Sequence, residues 1–201
     1  MYTMTHAGKK KAETPRKRDA VATRAAILAS ARRAFAQKGY DGVGLREIAA
    51  GAGVTAMLVN RYFGSKEKLF AEVAQVASSS SRTILTQENL SASDLAQRMA
   101  ALLVDITAAN DTPLEGFLIT LRSASSKTAA KIGRKEITNG NLKLLADVLH
   151  GPHRQERAAV ALSIVAGFQA MRQMVGLPAL ADAKPEILRE ILTPLFRALI
   201  E

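Results

Sequence analysis

The sequence predicts an all-α protein, with a three-helix N-terminal head followed by a larger helical half, about nine helices in total. Three observations carry that expectation. Residues 45–63, LREIAAGAGVTAMLVNRYF, read as two short helices around a glycine turn. The second half is punctuated by helix starts and stops and contains no alternating strand pattern. Hydrophobic content is 48% while aromatics make up only 4%, a composition suited to packed helices.

Residues 1–20 hold Lys9, Lys10, Lys11, Arg16, Lys17 and Arg18 with no apolar periodicity, and are expected to form a basic disordered arm. Such an arm is either solvated or adds contacts to a polyanion. The head is placed at 21–81. Its first helix is expected from Thr23 to Lys38, burying Ile27, Leu28, Ala31 and Phe35, with Gly39 as its stop. Leu45, Ile48 and Ala49 give the second helix one apolar side. Gly51, Ala52 and Gly53 make the turn, and Thr55 caps the third helix. Val59, Tyr62 and Phe63 face inward, which leaves Thr55, Ala56, Met57, Asn60 and Arg61 facing outward. A fourth helix is expected from Ser65 to Ser81 on Leu69, Phe70, Val73 and Val76.

Residues 82–201 form the second unit. Helices are expected at 94–109, at 112–124 and then on the apolar positions Ile132, Ile137, Leu142, Leu145 and Leu149. Thr112-Pro113-Leu114-Glu115 combines a capping box with a first-turn proline. Two long helices close the chain, 153–175 and 184–200. Pro194 is expected to kink or break the last one.

An exposed helix behind a glycine turn is the layout of a DNA-reading helix-turn-helix. Charge agrees: residues 1–70 carry 14 Lys/Arg against 5 Asp/Glu, and residues 71–201 carry 14 against 13. Basic charge at one end calls for a polyanion there, and the motif selects double-stranded DNA over a membrane surface. Asn60 suits adenine and Arg61 suits guanine or phosphate. Ala56 and Met57 offer apolar contact to thymine methyls. Tyr62 is expected to pack its ring inward and reach a phosphate with its hydroxyl. Arg46 and Lys66, at helix starts on either side, are expected to hold phosphates.

Residues 23–73 resemble the TetR family of transcriptional regulators. The resemblance rests on Phe35 with Gly39-Tyr40, the run Arg46-Glu47-Ile48-Ala49, Gly53-Val54, and Tyr62-Phe63-Gly64-Ser65-Lys66-Glu67. The family usually has Ser or Thr just before the second helix. This chain has Val43-Gly44, and Gly44 offers no hydroxyl to a phosphate. The resemblance implies a homodimer on a palindromic operator, most simply a repressor, with the C-terminal half binding a small-molecule effector. The sequence of that half agrees: 153–175 is apolar on more than one side and 184–200 adds a second apolar helix, so together they suit a dimer interface. Met99, Leu103, Phe117, Leu121, Phe168 and Met171 are the candidate lining of an effector pocket. Arg122 and Arg172, with Thr107 and Gln169, are candidates to orient an acidic or carbonyl-bearing ligand.

Other chemistry is not signalled. There is no cysteine, no phosphate-cradling glycine loop and no positioned acid, base or nucleophile, so neither enzyme activity nor a cofactor is expected. His150 and His153 read as loop residues rather than a metal pair. No run approaches the ~18 apolar residues of a membrane span, and the basic N-terminus lacks an apolar segment after it, so a cytoplasmic protein is expected. The alternatives are an architectural DNA-binding protein without an effector and an all-α enzyme.

Overall fold

The computed structural model describes residues 15–78, 84–108 and 115–201, and among these it is helical with no strand. The basic residues 9–11, the serines at 79–81 and the Thr112-Pro113-Leu114 start lie outside the described residues. The head comprises the expected three-helix unit, α1 (Pro15–Lys38), α2 (Leu45–Gly51) and α3 (Ala56–Phe63), and the helix that follows it, α4 (Lys66–Ser78). Helix α1 starts eight residues earlier than the apolar stripe suggests, which corrects the arm's inner end. The added segment, PRKRDAVA, opens with a first-turn proline and is otherwise mostly good helix formers, so it needs no core contact to be helical.

The second half runs through α5 (Gln87–Leu90), α6 (Leu95–Ile106), α7 (Glu115–Arg122), α8 (Lys127–Ile137), α9 (Lys143–Val148), α10 (Arg154–Gln169), α11 (Pro178–Ala181) and α12 (Pro185–Ile200). Labels reach α12 because α5 and α11 are too short to show a period, and because the expected helix through Leu149 divides. Its π-turn, 138–142, contains Gly140 at φ −98°, ψ −106°, outside the helical region. A second π-turn, 170–175, extends α10 to Gly176. Conversely, Pro194 breaks nothing: α12 continues through it. Pro194 and Glu190, whose carbonyl loses its partner, are both exposed, so the lost bond leaves no buried residue unsatisfied.

Two apolar cores organise the chain, and they do not divide at residue 81. The first joins Ile27, Phe35, Ile48, Val59, Phe63, Leu69 and Phe70 of the head to Ile119 of α7 and Ala129 of α8. Phe35, Tyr40 and Phe70 meet in this core, with Phe70 edge-on to both other rings at 5.0 Å. The second core joins Met99, Leu103, Leu145 and Leu149 to Leu188, Leu192 and Phe196. Two expected core positions turn outward instead, Val76 and Ile137. The segment Arg154–Val175 has a mean hydropathy of 1.3 in its most apolar window, long and apolar enough on those measures to cross a membrane, contrary to expectation. Only 22% of that window is buried within the chain.

Candidate nucleic-acid interface and effector cavity

The turn between α2 and α3 is built from the chain's own hydrogen bonds. Ala52, Gly53 and Val54 donate backbone N–H groups to Ala49 and its neighbours, and Gly53 sits at φ +66°, where a Cβ would be strained. Ser30 of α1 donates to the Ile48 carbonyl at 2.8 Å, fixing α2 against α1. Thr55 accepts from the Leu58 N–H at 3.3 Å, starting α3. Ser65 starts α4 in the same way, accepting from Lys68 at 3.1 Å.

Helix α3 buries Val59 and Phe63, so its opposite side must face out. Met57 is 82% exposed, at the tip, and Thr55, Asn60 and Arg61 are exposed beside it. Arg61 and Arg46 make no ion pair among the described residues. Tyr62 is half-buried against the core, as its ring was expected to be. Ala56 departs from expectation: it too is half-buried against the core, since a methyl at the first turn of α3 lies on the side nearest α2. Lys66 is also differently placed. Its ammonium lies 4.4 Å from the centre of the Tyr40 ring, a cation–π contact within the head. Burial, with the carboxylates of Glu67 and Asp41, raises the Tyr40 hydroxyl above the ordinary tyrosine range.

Between the two cores lies a cavity of about 330 Å³. Its walls come from α4, α6, α7, α8 and α10, together with Ile84, Leu85, Ala124 and Asn141. Of the candidate lining, Met99, Phe117 and Leu121 are there. Leu103 is fully buried in the second core, Met171 is 45% exposed, and Phe168 packs beneath the Arg172 guanidinium at 5.8 Å. Neither arginine lines the cavity. Arg122 donates to the Ala36 and Gln37 carbonyls at the end of α1. Arg172 is 5% exposed and donates to the Val104 carbonyl at 2.8 Å, the Thr107 hydroxyl at 3.0 Å and the Leu180 carbonyl at 3.0 Å. Burial lowers its affinity for the proton, opposed in part by Asp105. Both arginines satisfy carbonyls that a helix end leaves without partners, which is a stronger demand than an empty cavity makes. The expectation of an arginine-held acidic ligand is corrected accordingly.

The sequence reading missed Thr120, Glu136 and Asn141, polar residues lining the cavity. It also missed why there is a cavity at all: Ala74, Gly116, Ala124 and Gly133 present small side chains or none where α4, α7 and α8 converge. A row of small residues at facing helix positions is the signal that was available.

Residues 27–73 match the family model described as bacterial regulatory proteins, tetR family, and residues 93–200 match the tetracyclin repressor-like C-terminal domain. No curated protein matches the chain. Among solved structures, a TetR-family regulator from Streptomyces coelicolor A3 is 22% identical, with 90% of this chain and 95% of that one covered at a TM-score of 0.58. NalD, the secondary repressor of the MexAB-OprM multidrug efflux pump in Pseudomonas aeruginosa, is 22% identical over 91% and 98%, at 0.62. The multidrug binding protein EbrR, complexed with proflavin, is 19% identical over 86% and 99%, at 0.59.

Proposed function

This chain belongs to the tetR family of bacterial regulatory proteins, and from that premise we propose that it is a cytoplasmic, ligand-responsive repressor that binds a palindromic DNA operator as a homodimer. The family acts as regulator rather than as enzyme, and the exposed outer side of α3 is the reading surface. Asn60, Arg61, Thr55 and Met57 contact base edges, with a lesser share for half-buried Ala56. Arg46 holds a phosphate from the start of α2. Lys66 does so after leaving Tyr40, and the Tyr62 hydroxyl adds a third backbone contact. Residues 82–201 supply the effector cavity and, through 153–175 and 184–200, the dimer interface.

The observation that carries this reading is the ownership of the cavity walls. Helices α4, α7 and α8 place residues in the head core, while α6 and α10 place residues in the second core, and all five line the cavity. A molecule in the cavity therefore acts on the relative position of the two cores. It releases DNA only by binding better to the arrangement in which the heads are badly spaced. The test is selection of bound duplexes from a random pool, then titration against the selected palindrome and a scrambled duplex of equal length. The reading expects a specificity gap of roughly a thousandfold or more. Equal affinity for both duplexes would mark an architectural protein instead.

A further inference from the structure

The cavity's chemistry points to the class of molecule it accepts. Although the chain carries 28 Lys/Arg against 18 Asp/Glu, no lysine or arginine lines this cavity among the described residues and one carboxylate, Glu136, does, while Arg134 lines the adjoining cavity that shares Thr120, Ala124 and Gly133 with it. Glu136 has no hydrogen-bond or ion-pair partner among the described residues. On α10, Gln169 is 4% exposed, lines the same cavity, and its Nε2 has no hydrogen-bond partner. A buried amide donor without a partner is costly, and in native proteins such a group calls for an explanation. The neighbouring Thr120 has already committed its hydroxyl hydrogen to the Gly116 carbonyl at 2.9 Å. What remains is mostly apolar wall, with Phe117, Leu162 and Val165 among its members.

We propose that the effector is an apolar, ring-bearing organic cation that also carries an oxygen acceptor, its charge facing Glu136 and its acceptor taking the Gln169 Nε2 hydrogen. This deepens the ligand-responsive reading above and rests on it for the consequence at DNA. The discrimination follows from desolvation. Any molecule filling the cavity strips water from the Glu136 carboxylate; a cation returns that interaction, a neutral molecule does not, and an anion adds repulsion. The volume falls at the lower end of small-molecule sites, on the order of 300–1,000 Å³, which suits two or three fused rings.

Three dyes on one three-ring phenoxazine skeleton separate charge from size: 3,7-diaminophenoxazinium (a cation), resorufin (an anion) and resorufin methyl ether (neutral). Fluorescence titration of the full chain should give the cation at least about tenfold tighter binding than either of the others. Glu136→Gln should bring the three affinities together, and Glu136→Lys should reverse the order of cation and anion. Gln169→Leu should raise the thermal midpoint of the ligand-free protein while weakening resorufin methyl ether, whose ketone oxygen is the acceptor, about threefold. Equal binding of the three dyes to the unmodified chain, an unchanged order in the two Glu136 variants, or no cation binding at about 1 mM would overturn the proposal. Unchanged affinity for resorufin methyl ether in Gln169→Leu would overturn the hydrogen-bonded half of it. The same dyes are then added to the DNA complex. Charge-selective binding that leaves DNA bound keeps the ligand class and defeats the repressor reading. Release of DNA by all three dyes alike does the reverse.

Discussion

Arg61 faces outward because Val59 and Phe63 are buried in the head core, and a helix that buries those two positions has no other side on which to hold a residue two steps from each. That much follows from spacing alone. Arg61→Ala should cost about 1–3 kcal/mol on the selected operator and relax its preference at one base position; unchanged affinity in a filter-binding titration would remove Arg61 from the reading surface. Thr55 was equally legible, since a hydroxyl residue before an apolar turn has a hydrogen-bonding task ready made. Thr55→Ala should lower unfolding stability by about 1 kcal/mol in a urea titration, through the lost bond to the Leu58 N–H. Long basic side chains were not legible in this way. Arg122 and Arg172 reach carbonyls 86 and 68 residues away in the chain, and Lys66 finds a ring 4.4 Å off that the sequence does not place beside it. For such residues the destination is set by whichever unsatisfied group tertiary packing brings near, which no local pattern records.

Helix α7 joins cavity to reading head more directly than any other element. One side carries Phe117, Thr120 and Leu121 to the cavity. The other buries Ile119 in the head core, and the end of the helix grips the segment after α1. There Arg122 caps α1, Ser123 accepts from the Tyr40 N–H at 2.9 Å, and Ser126 donates to Asp41 at 3.1 Å. Gly39 sits against the Arg122 carbonyl so closely that a Cβ would come within 2.3 Å of it. Helix α4, continuous with the head in the chain, also joins the two, with Ala74 and Ala77 on the cavity and Leu69, Phe70 and Val73 in the head core. Packing adds α7, which is remote in sequence and could be placed only by the fold. Ser123→Ala leaves the Tyr40 N–H without its partner and should cost about 1–3 kcal/mol of stability. More tellingly, it should leave dye affinity within twofold while reducing dye-driven DNA release, measured by fluorescence anisotropy of a labelled operator. Unaltered release would return the coupling to α4.

At the scale of the whole molecule, two apolar cores and one uncovered apolar face remain to be reconciled. Helix α12 carries two neighbouring stripes. Leu188, Leu192 and Phe196 are buried against α6 and the rest of the second core, whereas Ile187, Ile191 and Leu195 are about half exposed. Val160, Met171, Met174 and Val175, along α10 and its π-turn, are exposed as well. A strand of surface leucines scattered singly would need no explanation, but aligned positions four residues apart on one helix form a face that a partner covers. In the proposed homodimer a second copy of the chain supplies an identical face and, through two-fold symmetry, a second α3 for the other half of a palindrome. The division of labour within α10 matters here, since Leu162, Val165 and Gln169 line the cavity while Val160 and the π-turn methionines do not. Assembly and ligand binding should therefore separate by mutation. Ile191→Asp places a charge in the centre of the outer stripe without touching the buried one, and should give a monomer by sedimentation at micromolar concentration. That monomer should still bind the phenoxazinium cation, because Glu136 and Gln169 come from the same chain, yet lose at least about a hundredfold in operator affinity, because only one head at a time can engage its half-site. A dimer that survives the substitution intact would move the interface to another face. Loss of dye binding along with the dimer would mean that the partner chain completes the cavity.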